Sequence, residues 1–193
     1  MDGALIVHTA PGVTYTDGTD YCEFNYEDPG SCIAANTEVD VPSGAVAVVW
    51  LLAAFPAGSS PGVTVIQFGL EHTLSPMDIV AYEPCDPADV EIPDGDFPAS
   101  DTGMSLGFYP SVYGTLFPFY WFAIAGGSGD TFGTTVSPTA RQAVFVDEGN
   151  PPQMDEIDRF GYVRWGSMGE NDCPPSVERR DATLGQIKSG YRR

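Results

Sequence analysis

Along residues 1–178, short runs of β-branched and aromatic residues alternate with clusters of Gly, Pro, Asp and Ser, and the 3.6-residue apolar spacing of amphipathic helices is almost absent. This punctuation predicts strands near residues 4–8, 44–54, 62–70, 79–82, 104–109, 119–125, 132–136, 143–146 and 161–165. The fold expected is all-β: an antiparallel β-sandwich with Greek-key or jelly-roll-like crossings, its turns supplied by 22 Gly and 17 Pro. The stretches "AVAVVWLLAAF" and "FPFYWFAIAGG" are continuously apolar, as central strands covered on both faces are. Trp50, Phe119, Trp121 and Ile124 therefore read as core; a sugar-stacking role would need their rings in solvent.

The pattern changes at the end of the chain. In "RRDATLGQIKSGYRR", Thr183 and Gln186 form a T-x-x-Q capping box, and Asp181 adds negative charge at a helix start. Leu184, Ile187, Lys188 and Tyr191 follow at i, i+3, i+4 and i+7, with Gly190 as a stop. The chain thus divides into a sandwich domain, 1–178, and a basic tail, 179–193, with a short amphipathic helix. Such a helix is below the roughly 12 to 15 residues at which isolated helices become marginal, so it needs a surface to dock on. The tail holds five of the eight Lys and Arg and one of the 27 acidic residues, a net +4 against −23 for the rest. Leu184, Ile187 and Tyr191 would bury their stripe, while Arg179, Arg180, Lys188, Arg192 and Arg193 select an acidic place to do so. That place is on the same chain or on the next copy; the second makes a head-to-tail contact that propagates into a ring or filament.

Charge narrows the partners. A net −19 opposes binding to nucleic acid or to an anionic membrane surface, both of which require a cationic face. Acidic residues in excess offer oxygen ligands to calcium, and Asp94, Asp96 and Asp101 in "CDPADVEIPDGDFPASD" are close enough to surround one ion; no other cofactor is expected. The bland alternative is that Asp, Gly and Pro there are turn formers, as in "DGTD" and "DEGNPPQMDEID". With 42% hydrophobic residues the chain folds despite its charge. No unbroken apolar stretch reaches the roughly 20 residues of a membrane span, and the start "MDGALIVHTAPG" lacks the basic and apolar regions of a signal peptide.

Four cysteines, Cys22, Cys32, Cys85 and Cys173, lack zinc-ligand spacing and read as two disulfides, hence an oxidising, extracellular or cell-surface location. Of the three connectivities, Cys22 to Cys32 with Cys85 to Cys173 is expected, because Pro29-Gly30 can turn the short first loop back on itself. Catalytic signatures are missing: there is no G-x-S-x-G elbow, and His8 and His72 stand near no nucleophile motif and read as strand residues with satisfied hydrogen bonds. With 27 acids, any chosen carboxylate dyad is uninformative, and the chain is not expected to be an enzyme.

Several stretches together resemble a set of uncharacterised secreted bacterial proteins of candidate phyla such as Eisenbacteria. They are "ALIVHT", "TDYC", "LLAAFPAGSSPGVTVIQFGLEH", "IPDGDFPAS", "YWFA", "FGYVRWGSMGENDCP" and "ATLGQIKSGYRR". The resemblance implies a secreted, cysteine-bridged β-domain ending in a Thr-Trp-Gly-x-Ile/Val-Lys element followed by Tyr and Arg. Leu184 stands where that Trp is usual, and Phe97 stands where many members have another Trp. The function expected is a non-enzymatic bacterial surface or structural protein, self-assembling through its tail with itself as partner. The alternative is an extracellular carbohydrate-binding module with a glycan ligand.

Overall fold

The computed structural model describes residues 2–22, 26–42, 44–59, 61–75, 78–85 and 88–175. They form two packed, mainly antiparallel sheets. In the smaller sheet, β1 (Ala4–Thr14), β3 (Ala47–Ala54), β8 (Leu116–Ile124) and β5 (Ile79–Pro84) lie in the order β1-β3-β8-β5. The larger sheet is centred on β4 (Val63–His72). One edge of β4 pairs with β7 (Thr102–Val112), which in turn pairs with β6 (Ala88–Asp94). The other edge pairs first with β10 (Val144–Asp147) and then with β9 (Thr131–Thr135). β11 (Met154–Glu156) extends the sheet beyond β10. β12 (Gly161–Trp165) extends it beyond β9, and its far edge takes β13 (Glu170–Asn171) and, in parallel, β2 (Glu38–Val39).

All nine expected strands are present. β2, β6, β11 and β13 were not anticipated, and the acid-rich stretches read as turns contain two of them, β6 and β11. Both lie at open edges, where outward acidic side chains and Pro93 suit a strand whose rim must not pair further. Among the described residues the only helix is a single 3-10 turn, Cys32–Ala34, with the Ser31 hydroxyl accepting from Ala34 N. The expected tail helix, with Arg179, Arg180, Leu184, Ile187, Lys188, Tyr191, Arg192 and Arg193, lies outside the described residues.

Between the sheets sits one core, with Leu5, Val49, Leu51, Phe119 and Phe122 of the small sheet meeting Ile66, Phe68, Leu106, Phe132 and Phe145 of the large one. A second core explains why β3 is apolar at every position. Residues 15–22 and 26–36 form a flap over the outer face of the small sheet, burying Ile6, Val48, Trp50, Leu52 and Trp121 beneath Tyr21, Tyr26, Cys22, Cys32 and Ala35. Trp50, Phe119, Trp121 and Ile124 are all buried, as their apolar setting predicts.

The disulfides depart from the expected pairing. They join Cys22 to Cys85 and Cys32 to Cys173, with Cα atoms 5.4 and 5.7 Å apart. The reason is the flap. Tyr21 is anchored by its carbonyl, which accepts from Trp50 Nε1 at 2.7 Å, so Cys22 is set down beside the end of β5. The 3-10 turn then carries Cys32 toward the segment after β13, and no short loop closes on itself. One further clasp joins the two sheets: Asn171 accepts from Val7 N and donates to Val7 O, both at 2.9 Å, acting as a strand partner for β1.

Candidate functional site

Three surfaces stand out on this body: the flap, a polar groove and the outer face of the large sheet. At the flap, His8 is buried on β1 and stacks on Trp50 at 5.9 Å between centroids. Its Nδ1 accepts from Asn36 N at 3.0 Å, which leaves the proton on Nε2 to donate to the Glu27 carbonyl at 3.0 Å. The neutral ring therefore holds both the middle and the end of the flap. Burial lowers the His8 pKa below its ordinary 6.5, outweighing the nearby Glu27 and Asp28 carboxylates that raise it. Because the unfolded ring binds a proton more readily, this stabilisation is complete above about pH 6.5 and is lost as pH falls from there toward the folded value. The expected result is that His8→Gln is the less stable protein at pH 7.5, and that the gap between it and the native chain narrows as urea titrations are taken down to pH 5. A gap that stays constant with pH would remove His8 as the clasp.

The groove lies over β4, β9 and β12. It has a volume of about 520 Å³ and is lined by Glu71, Asp101, Ser100, Thr131, Tyr162 and Arg164 among others. Arg164 lies over the Tyr162 ring at 5.8 Å, and its Nε is buried with no hydrogen-bond partner. His72 forms part of the wall, stacked on Phe132, with Nε2 bonded to Pro98 O at 2.9 Å; its Nδ1 is buried without a partner, so only half of its expected hydrogen bonding is met. Ser100 lines the same groove and its Oγ accepts from His72 N at 3.0 Å, a backbone contact, while the ring's Nε2 is engaged by Pro98 O.

The calcium expectation is not supported by the geometry. Among the described residues no group of three or more His, Cys, Asp or Glu is placed to hold a metal ion. Asp94 ends β6 and is occupied by hydroxyls, accepting from Thr139 at 2.8 Å and Ser137 at 3.4 Å. Asp101 has φ +59° and donates its N–H to Leu70 O at 2.9 Å, which ties it to β4, while the Asp96 carbonyl caps the turn at Ala99. Asp94, Asp96 and Asp101 thus serve the strand and turn they stand in.

The outer face of the large sheet carries a feature no single segment discloses. The registers place Val90, Gly107, Val65, Val146 and Met154 side by side, one from each of β6, β7, β4, β10 and β11. Four gaps at about 4.8 Å make this row about 19 Å long. Val90 and Met154 are 51% and 60% exposed, and Ile92, one step along on β6, is 62% exposed. A Cβ added at Gly107 would meet nothing closer than Val90 at 3.5 Å, so the glycine leaves a trough in the middle of the row. At one end the segment 136–142 closes the face by crossing Gly69, where any Cβ would fall 2.2 Å from Val136 O. At the other end stands Glu148, which accepts hydrogen bonds from Tyr113 and Ser111. These bonds hold the Glu148 pKa low, Tyr113 contributing most. Asp89 and Glu156 add acidic charge beside the row, while Glu91 faces the other way and accepts from the Tyr120 hydroxyl at 2.9 Å.

The described residues define a disulfide-strapped antiparallel β-sandwich, and none of their helices is long and apolar enough to cross a membrane. No protein-family model matches the chain, and no curated protein matches it. Among solved structures it is similar to a cohesin module from the family 33 glycoside hydrolase of Clostridium perfringens ATCC13124, with a TM-score of 0.48 and 9% identity over 84% of this chain and 96% of that one. At that distance the likeness says nothing of what this chain binds.

Proposed function

We propose that this chain is an extracellular, non-enzymatic structural module that assembles with copies of itself, residues 179–193 being the connecting segment. The observation that carries this reading is the exposed apolar row on a strongly acidic chain: Val90, Ile92 and Met154 each leave more than half their surface in solvent. Contiguous apolar surface of this kind on a soluble protein marks a contact surface. Two disulfides spanning 63 and 141 residues support an oxidising compartment, as does the resemblance to secreted bacterial proteins. The carbohydrate-binding alternative would have to use the isolated exposed rings of Tyr109 and Tyr113 and not the groove. In the polar groove the ring of Tyr162 is covered by Arg164, whereas a sugar platform needs an open aromatic face.

Light scattering tests the reading. The full chain is expected above its monomer mass of 20.6 kDa, dissociating as salt is raised, because an acidic body and a basic segment attract through charges that salt screens. A chain ending at Glu178 is expected to stay at monomer mass with its melting temperature nearly unchanged. A full chain that is monomeric at every concentration and salt would refute the proposal.

A further inference from the structure

The row on the large sheet has a specific occupant: we infer that it seats the C-terminal segment of a second copy of this chain, through Leu184, Ile187 and Tyr191. This rests on the self-assembly reading and names the receiving surface within it. Three observations converge. The first is chemical fit. The row is apolar with a central trough at Gly107, and the segment that lies beyond the described residues contains three large apolar side chains within eight positions.

The second is charge. Asp89, Glu148 and Glu156 stand beside the row, while Arg179, Arg180, Lys188, Arg192 and Arg193 flank the apolar residues of the segment. The 178 residues before it contain only Arg141, Arg159 and Arg164 as basic residues, so no other stretch of this chain carries comparable positive charge. Arg141 sits in the crossing segment 136–142 that bounds the face and is exposed there, leaving the opposite, Glu148 end without a basic side chain of its own.

The third is where the segment starts. Cys173 is pinned to the flap by Cys32, and Pro174 and Pro175 lie in a groove with Ile33, Ala57 and Leu116, on the small sheet's side of the body. The row is on the outer face of the other sheet. The segment thus leaves the body at the end of the sandwich formed by the β3–β4 and β7–β8 connections, and the self-assembly reading makes the row of a neighbour stacked there its seat. The resulting contact is head-to-tail, row to segment, and propagates.

The test uses the full chain. Val90→Lys combined with Ile92→Lys places two cations on exposed positions where folding is little affected, and is expected to weaken self-association by roughly tenfold or more. Ile33→Lys, at a residue 86% exposed beside the departure groove, is the matched control and should leave the mass unchanged. An excess of a synthetic peptide of residues 179–193 should lower the mass of the native chain, and the same peptide with Leu184→Asp should not. If assemblies form but respond to Ile33→Lys and not to the row variant, the seat is the departure groove and the inference fails while the self-assembly reading stands. If the native chain is monomeric and the row variant only lowers its melting temperature, the segment lies on its own body, and the second-copy occupant falls together with the self-assembly reading. A native chain that is monomeric and indifferent to both variants overturns the inference and the reading beneath it.

Discussion

Replacing Cys32 and Cys173 together by Ser should lower the melting temperature by about 4 to 20 °C, the largest loss expected from any paired substitution here. In the chain-entropy account, a bridge spanning 141 residues stabilises by about 5 kcal/mol and one spanning 63 by about 4, against about 3 for the short Cys22 to Cys32 loop that the chain does not use. Measured losses for native disulfides fall at about 2 to 5 kcal/mol, which sets the temperature range for a chain of this size. The same bridge fixes the flap's 3-10 turn and the last described residues, so its loss should also expose the flap to proteases. Scanning calorimetry gives the first quantity and limited proteolysis the second. Peptide mapping without reduction must recover Cys22 with Cys85; recovery of Cys22 with Cys32 would overturn the architecture of the flap.

Trp50→Ala is expected to cost about 3 to 5 kcal/mol, the range for truncating a buried aromatic to Ala. Trp50 is fully buried at the centre of the second core, stacked on His8 and edge-on to Tyr26 at 5.9 Å, and its Nε1 donates to Tyr21 O. Truncation opens a cavity and also leaves the Tyr21 carbonyl without its donor. Trp50→Phe separates the two effects: it keeps most of the ring and removes only the hydrogen bond, for an expected loss of about 1 to 3 kcal/mol. Urea unfolding of the two variants provides the comparison. Equal losses would mean that the hydrogen bond, and not the packing, seals the flap. A Trp50→Ala protein as stable as the native chain would show that the flap contributes nothing to the stability of the small sheet.

Both predictions concern a part of the molecule that sequence pattern located only indirectly. The unbroken apolar run 45–55 requires cover on both faces of β3, but it does not say that a loop rather than a sheet or helix provides the second cover. The flap's ring-bearing residues, Tyr21 and Tyr26, lie among Asp, Glu, Pro and Gly and carry no periodicity. The chosen disulfide pairing failed for the same reason: proximity along the chain favoured Cys22 with Cys32, while anchoring at Trp50 and His8 sets the two cysteines down against different partners.

What the sequence by itself determined is what depends on neighbours along the chain: nine strands marked by apolar runs between turn formers, the core aromatics, the presence of bridges, and a basic segment following an acidic body. What only the tertiary structure decided depends on neighbours across strands. β6 and β11 read as turns, because the acids and Pro93 that protect an open edge are also the residues that make loops. Val90, Gly107, Val65, Val146 and Met154 are scattered over the chain between residues 65 and 154, each unremarkable in its own segment. Pairing register alone aligns them, since side chains alternate faces along every strand and a slip of one residue would turn that strand's member of the row to the opposite face.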